Sequence, residues 1–357
     1  MPDRERTSRK ALPQFERRAT LQLQEDASSA DEEAAAASRA REEFAEPYAK
    51  ALDALEEDPD RVIAGHELDC ARRGDGAAGL NCKVMCAIRE TLLLRLGLRD
   101  AFKHVKRREN AIALEVLPSV IAEIDSHAES EARMRLAMRG CFAGNLFDLG
   151  ASYSADKYEG GQAGFHQTRN GLPETSRIGD FEACLSHLGM DSGGFSKAVI
   201  FVDNAGSDTI LGILPFAREL LKNGVKVVLA ANEKPSINDI TAEELASLFT
   251  RADNRPRIRD PELCSAAESG RLCIVSTGND LPIIDLSQVS QELVEAARGC
   301  DLIVLHGMGR AIETNLNAKF TCTVLKMGVV KHPEVAACLG KSLGDCVLKY
   351  EPKVFVA

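Results

Sequence analysis

The sequence predicts an α/β protein, in which a mostly parallel sheet is covered by helices on both faces and preceded by an all-helical subdomain. Three observations predict it. From about residue 41 to 140, apolar residues recur at helical spacing with no β-type alternation. Beyond residue 195, short apolar runs alternate with helical patterns at intervals of about 25 to 45 residues, the rhythm of βαβ units. Those runs are continuous Val, Ile and Leu, which fits strands buried on both faces.

Taken in order, residues 1 to about 40 are charge-mixed and low in complexity, as in Asp31-Glu32-Glu33-Ala34, and read as a tail. A helical subdomain follows over 41–190. Its clearest helices are Cys82–Leu98, apolar at Val84, Met85, Ile88, Leu92, Leu93, Leu96 and Leu98, and Asn110–Ile124, apolar at Ile112, Leu114, Val116, Leu117, Val120 and Ile121. The α/β part covers 191–357. Its first strand, Ala198–Val202, leads to Asp203-Asn204-Ala205-Gly206. The second, Val225–Ala230, leads to a loop ending at Asn238-Asp239. The third, Leu272–Ser276, leads to Thr277-Gly278-Asn279-Asp280, and the fourth, Asp301–Leu305, to His306-Gly307-Met308-Gly309-Arg310. Between them lie a helix at Leu211–Lys222, closed by Gly224, and one at Ile240–Phe249, opened by a Thr241…Glu244 capping box.

Composition excludes several classes. The 357 residues are 45% apolar, enough for a substantial core. Forty-four basic residues against 54 acidic ones give a net charge of −10, with 5% aromatics, so the footprint of a nucleic-acid binder is missing. No run approaches the length of apolar residues that a membrane span needs. Met1-Pro2-Asp3-Arg4-Glu5-Arg6 is not followed by an apolar signal-peptide core, and acidic residues argue against a transit peptide. The 11 cysteines are scattered through apolar runs, which implies reduced thiols and a cytoplasmic protein. The closest pair, Cys82 and Cys86, has helical rather than metal-binding spacing, and no histidine pairs with the cysteines as a zinc set.

In open α/β sheets ligands bind beyond the carboxyl ends of the strands, and right-handed crossovers bring those loops to one edge. Polar residues concentrate there: Asp203, Asn204, Asp239, Asp280 and Arg310. Asp203, Asn204 and Asp239 supply two carboxylates and a carboxamide, hard oxygen donors suited to Mg²⁺ or a related ion. The plain alternative is that Asp203 and Asp239 cap the helices that follow them. Clustering favours a cation, because carboxylates gathered on one edge repel one another without one. Gly278 and Gly307-Met308-Gly309 allow close backbone approach to a phosphate, and Arg310 adds a fork for its oxygens. Neither a Gly-x-Gly-x-x-Gly fingerprint nor a complete P-loop is present. Gly340-Lys341-Ser342 lacks the earlier glycine, and Asp203-Asn204-Ala205 lacks the second aspartate of a haloacid-dehalogenase nucleophile. In the helical half, Asn145 and Asp148 share a helix face and are either buried polar groups with partners or an exposed polar face.

Several of these segments together resemble the metal-dependent damage-control phosphatases (domain of unknown function 89). The resemblance runs from about residue 60 to the C-terminus as one integrated domain. It rests on Arg139…Ala143-Gly144-Asn145-Leu146-Phe147-Asp148, Phe201-Val202-Asp203-Asn204-Ala205-Gly206, the Leu211–Leu220 helix, Ala230–Asp239, Gly278-Asn279-Asp280-Leu281-Pro282, and Gly307–Arg310 with Glu313-Thr314-Asn315. It is greatest with subfamily II, the plant-type stand-alone proteins and the phosphatase domain fused to some pantothenate kinases. A chain of 357 residues has no room for a kinase domain, so the stand-alone form is expected.

The resemblance implies a three-layer α/β/α core with the helical subdomain packed on it. It implies a divalent ion, Mn, Co, Ni or Mg, on Asp203, Asn204 and Asp239. Asn145, Asp148, Thr277, Gly278, Asp280 and Gly307, Met308, Gly309 and Arg310 would line the phosphate pocket. The implied partner is a small phosphorylated metabolite, 4′-phosphopantetheine or its oxidised or sulfonated forms, with a sugar phosphate as the alternative. Asp203 is then nucleophile or metal ligand, and Asp280 or Asp148 positions water. One departure is His306, where the family pattern leads one to expect an acid. Two readings from other classes are a carboxyl methyltransferase, for which the first βα turn offers too little glycine, and a phosphometabolite-binding protein without turnover.

Overall fold

The computed structural model describes residues 82–95, 99–100, 102–146, 161–188, 194–252 and 255–353. The expected tail over 1–40 and the candidate residue Asp148 lie outside them. The chain divides into two compact units, Met1–His104 and Val105–Ala357. In the first, helix α1 (Cys82–Arg95) buries Val84, Ile88, Leu92 and Leu93, the apolar stripe its periodicity marks.

The second unit contains both helices and sheet. Helix α2 (Lys103–Asp125) begins before the apolar period at Asn110, because its first turns are polar, and it buries Val116, Leu117, Val120 and Ile124. Helices α3 (Ser130–Leu146), α4 (Gly161–Gly171) and α5 (Phe181–Leu188) follow. The sheet then opens with β1 (Lys197–Phe201), helix α6 (Leu214–Lys222), β2 (Lys226–Ala231) and α7 (Ala242–Phe249), whose Thr241–Glu244 capping box forms as its sequence requires. A two-residue ribbon, β3 (Arg251–Ala252) with β4 (Arg255–Pro256), leads to α8 (Pro261–Glu268), β5 (Leu272–Ser276), α9 (Gln291–Ala296), β6 (Leu302–His306), β7 (Thr323–Val329), α10 (Pro333–Leu339) and β8 (Cys346–Glu351).

The six-stranded sheet has the order β5-β2-β1-β6-β7-β8, parallel throughout except where β8 runs antiparallel to β7. Side chains alternate between its faces. Ala198, Ile200, Val227, Leu229, Val304 and Met327 join a core with helices α2, α3, α6, α7 and α8. Val199, Phe201, Val228, Val275 and Leu305 join a second core with Ile284, Leu293, Ala311 and Ala336. Two apolar faces require two helical layers, so the architecture is α/β/α, as expected. Strands β1, β2, β5 and β6 fall within a residue of the runs read from sequence; β7 and β8 are additions.

Candidate functional site

Connections leave β1 toward β2 and β5 on one side, while β6 and β7 lie on the other. The chain therefore reverses direction between β1 and β6, and the crevice beyond their carboxyl ends is where such a sheet binds ligands. Asp203 and Asn204 emerge there from β1, and His306 to Arg310 emerge from β6. Two backbone bridges bring in the loop after β2. Asn204 pairs with Asp239, and Asn232 with Thr241. The Ala205 N–H donates to the Asn238 carbonyl at 2.9 Å, and the Ile240 N–H to the Asp203 carbonyl at 3.1 Å. Within that loop Ile237 adopts φ 43°, a left-handed conformation costly for a β-branched residue, which the surrounding bonds hold in place.

The side chains converge. Arg310, almost fully buried, bonds Asp203 Oδ1 through Nη1, and through Nη2 it donates to Asp239 Oδ2 at 2.8 Å and Asn232 Oδ1 at 2.9 Å. Asn232 Nδ2 donates to Asp239 Oδ2 and to the Leu281 carbonyl, both at 3.0 Å. Asp203 Oδ2 accepts from the amides of Asn145 and Asn204, each at 3.2 Å. Asp208 joins them from below: its Oδ2 accepts from Asn145 Nδ2 at 2.9 Å and Asn204 Nδ2 at 3.1 Å, and its Oδ1 lies 2.6 Å from His306 Nε2. Asn145 is thus a buried polar group with partners rather than part of an exposed face, and its Oδ1 accepts the Val329 N–H at 3.0 Å.

The two loops that deliver these groups share a local device. Both β1 and β6 are followed by a π-helical turn, Ser207–Ile213 and Met308–Glu313. A wider turn projects side chains at angles an α-helix does not offer, and such turns recur at functional sites. Sequence periodicity marks the helix at Leu211–Lys222 but not the wide turn before it. Glycine makes the packing possible: Gly307 has φ 97°, and a Cβ there would lie 2.0 Å from Asp203 Oδ2. Gly144 lets α3 meet the first π-turn, where a Cβ would lie 2.6 Å from the Ser207 carbonyl oxygen.

Burial dominates the electrostatics. It raises the Asp203 carboxyl above its ordinary value, against the opposing charge of Arg310. Burial would raise Asp208 as well, but the His306 charge and hydrogen bond, with Lys331 and Asn145, outweigh it and hold that carboxyl low. Glu313 keeps solvent-exposed surface at the rim, yet the protein around it, and then the Asp203 charge, lift it to about 7.

The donor set fits a hard divalent cation. Asp203 and Asp239 face one positive centre, and with the Asn204 nitrogen committed to Asp203 and Asp208, its carbonyl oxygen is the atom left to coordinate. The set includes a carboxamide; among the described residues no three His, Cys, Asp or Glu side chains cluster as metal ligands. The positive charge that relieves carboxylate repulsion in this structure is the Arg310 guanidinium, a group that sequence pattern alone assigns to phosphate.

Other expected residues are placed differently. Thr277 is fully buried and holds its own turn, its Oγ1 accepting the Asn279 N–H at 3.1 Å and its carbonyl the Ser290 N–H at 2.8 Å. Gly278 and Asp280 are exposed on that loop, and among the described residues no hydrogen bond ties Asp280 to the cluster. The loop meets the site through Leu281 and through Pro282, whose carbonyl oxygen would lie 2.3 Å from a Cβ on Gly309. Met308 packs beneath, its sulfur accepting the Lys331 N–H at 3.3 Å. Asp208, Asn232 and Asn110, whose Oδ1 accepts the Gly206 N–H at 2.7 Å, are central residues the sequence reading did not select. Asp208 looks like an ordinary first-turn acid, Asn232 like a strand end, and Asn110 lies in a distant helix.

The damage-control phosphatase ARMT1-like domain family matches residues 7–347, further toward the N-terminus than the resemblance from about residue 60. The chain belongs to this family. It is 44% identical to a damage-control phosphatase of Arabidopsis thaliana over 310 residues, covering 87% of this chain and 79% of that protein. It is 34% identical to the mouse 4′-phosphopantetheine phosphatase over 324 residues, covering 76% of this chain but only 38% of that longer protein. A crystal structure of a DUF89 family protein from Pyrococcus horikoshii superposes with a TM-score of 0.62 at 18% identity, covering 96% of this chain and 97% of that one, and shows the shared fold. This damage-control phosphatase is thus a phosphoric monoester hydrolase, and no helix among its described residues is long and apolar enough to cross a membrane.

Proposed function

We propose that this damage-control phosphatase hydrolyses 4′-phosphopantetheine and its oxidised or sulfonated forms in the cytoplasm, using a divalent ion, Mn, Co, Ni or Mg, held by Asp203, Asn204 and Asp239. The observation that carries the reading is the meeting of those three oxygen-bearing side chains beside Arg310 at the β1/β6 crevice. The mouse relative named for 4′-phosphopantetheine supports the substrate class.

When bound, the ion supplies charge neutralisation for the phosphoryl group. The protein supplies the rest. Arg310 has five N–H donors, of which three are engaged by Asp203, Asp239 and Asn232; the remaining two take phosphoryl oxygens. Asn232 and Asp239 fix the guanidinium plane. Asp208 orients the Asn145 and Asn204 amides, and so sets the direction of the Asn204 carbonyl. Burial of the whole cluster excludes competing water and strengthens each of these interactions.

Phosphate release is measured from p-nitrophenyl phosphate, 4′-phosphopantetheine and a sugar phosphate, each with Mn²⁺, Co²⁺, Ni²⁺ or Mg²⁺ and with chelator. Turnover of 4′-phosphopantetheine above the sugar phosphate, abolished by chelator and by Asp203→Ala with the circular dichroism spectrum unchanged, is expected. Full activity in Asp203→Ala would refute the assignment of the site, and preference for the sugar phosphate would refute the substrate.

A further inference from the structure

At the edge of the sheet opposite the catalytic loops, the segments entering β6 and β7 each carry one cysteine. Parallel pairing sets Leu302 against Thr323, and the Thr323 N–H donates to the Asp301 carbonyl at 3.2 Å. The residues just ahead of the two strands are therefore held side by side. Cys300 and Cys322 are among them, near enough that each thiol is the first influence on the other's acidity. Both are half-buried, so reagents can reach them, unlike the buried Cys141, Cys184 and Cys346. Lys197, the first residue of β1, adds a positive charge near Cys300, and Asp301 opposes it. Phosphate ester hydrolysis uses neither sulfur.

We propose that Cys300 and Cys322 form a redox-active dithiol that hydrogen peroxide converts to an intramolecular disulfide. The Cys300 thiolate attacks a peroxide oxygen, the O–O bond breaks, and Cys300 becomes a sulfenic acid while the leaving oxygen departs, protonated, as water. Cys322 then gives up its proton and attacks the sulfenic sulfur. The S–S bond forms, the S–O bond breaks, and a second water leaves. The two sulfurs together lose two electrons to the peroxide.

The surroundings assign the roles. The neighbouring Cys322 thiol, against the opposing effect of burial, brings the Cys300 thiol down to about 7. The Cys300 thiol and burial push Cys322 up. Near pH 7, Cys300 therefore carries more thiolate than a cysteine of ordinary acidity, which makes it the attacking sulfur.

The test uses the full chain, reduced, then treated with hydrogen peroxide in the presence of chelator and digested with trypsin. Cleavage after Arg298, Arg310, Lys319 and Lys326 puts Cys300 in peptide 299–310 and Cys322 in peptide 320–326. A cross-linked pair of these peptides, lighter by two hydrogens than the two reduced ones, is expected. In Cys322→Ser the cross-link vanishes and Cys300 is trapped by a dimedone probe; in Cys300→Ser neither product forms. Alkylation of Cys300 by iodoacetamide should show a midpoint near pH 7 that rises in Cys322→Ala, which removes the neighbouring donor. Oxidation of the exposed Cys273 and Cys338 while both Cys300 and Cys322 stay reduced would overturn the proposal, as would a disulfide joining Cys322 to any other cysteine.

Discussion

Replacing Gly307 with alanine separates two costs that the structure superimposes at one position. The first is conformational: Gly307 has φ 97° and ψ 159°, a region essentially reserved for glycine, where an L-residue is strained by about 1–3 kcal/mol. The second is steric and local to the chemistry. The new Cβ would sit 2.0 Å from Asp203 Oδ2, more than an ångström short of ordinary contact at 3.4 Å. The backbone is also tethered on both sides, its N–H donating to the Met327 carbonyl at 2.9 Å and its carbonyl accepting the Ala311 N–H at 3.0 Å. Asp203 must therefore move, and a displacement of about 1 Å at a reacting group costs about a hundredfold in rate. Overpacking adds about 1–3 kcal/mol to the strain. Gly224→Ala is the control for strain alone, with φ 83° and nothing within 4 Å of its Cβ. It should lose about 1–2 kcal/mol, or roughly 1–4 °C in Tm, with kcat unchanged. Gly307→Ala should melt lower still and lose at least about a hundredfold in kcat on p-nitrophenyl phosphate. A Gly307→Ala protein with wild-type kcat and a Tm no lower than that of Gly224→Ala would refute the contact between this backbone and the Asp203 carboxylate.

Three further outcomes are expected. Asn110→Ala removes the acceptor of the buried Gly206 N–H, which should cost about 1–3 kcal/mol in denaturant unfolding and lower kcat more than it raises KM, whereas Asn110→Asp, which keeps an acceptor, should recover much of the loss. Lys326→Met deletes an ammonium that bonds the Leu316 and Ala318 carbonyls and Glu351 from a fully buried position, while Lys319 still pairs with Glu351, so stability should fall by about 1–3 kcal/mol with kcat preserved. Acid stability should follow Glu351, held at about 2 by Lys319 and Lys326, and Asp125, held at about 2 by Arg218. Both are depressed in the folded state, so their stabilisation is present above the ordinary values of 4.5 and 3.8 and disappears as pH falls toward 2. A plot of Tm against pH should therefore drop below about pH 5, less steeply in Glu351→Gln.

Strands β1, β2, β5 and β6 are legible because each is an unbroken apolar run, and their burial on both faces is the cause of that pattern. Strand β7 carries Lys326 at its centre, which interrupts the run; only the Leu316 and Ala318 carbonyls and Glu351, supplied by tertiary structure, make that lysine tolerable. Strand β8 has the same difficulty at Lys349, which faces Lys326 across the antiparallel pair. The π-helical turns after β1 and β6 leave no periodic mark, since each is a single widened turn whose residues also suit an α-helix.

For the site, residue chemistry at strand ends selected Asp203, Asn204, Asp239 and Arg310, because polar groups beyond apolar strands of a parallel sheet have one edge to occupy. By itself the sequence determined the layered α/β class, the edge that carries the chemistry and the family. Only the tertiary structure decided which charges meet. It placed the Arg310 guanidinium between two carboxylates, brought Asp208 and His306 together beneath them, and left Asp280 exposed. Those outcomes depend on distances and desolvation between segments remote along the chain. A periodicity reports only which face of its own element a residue occupies.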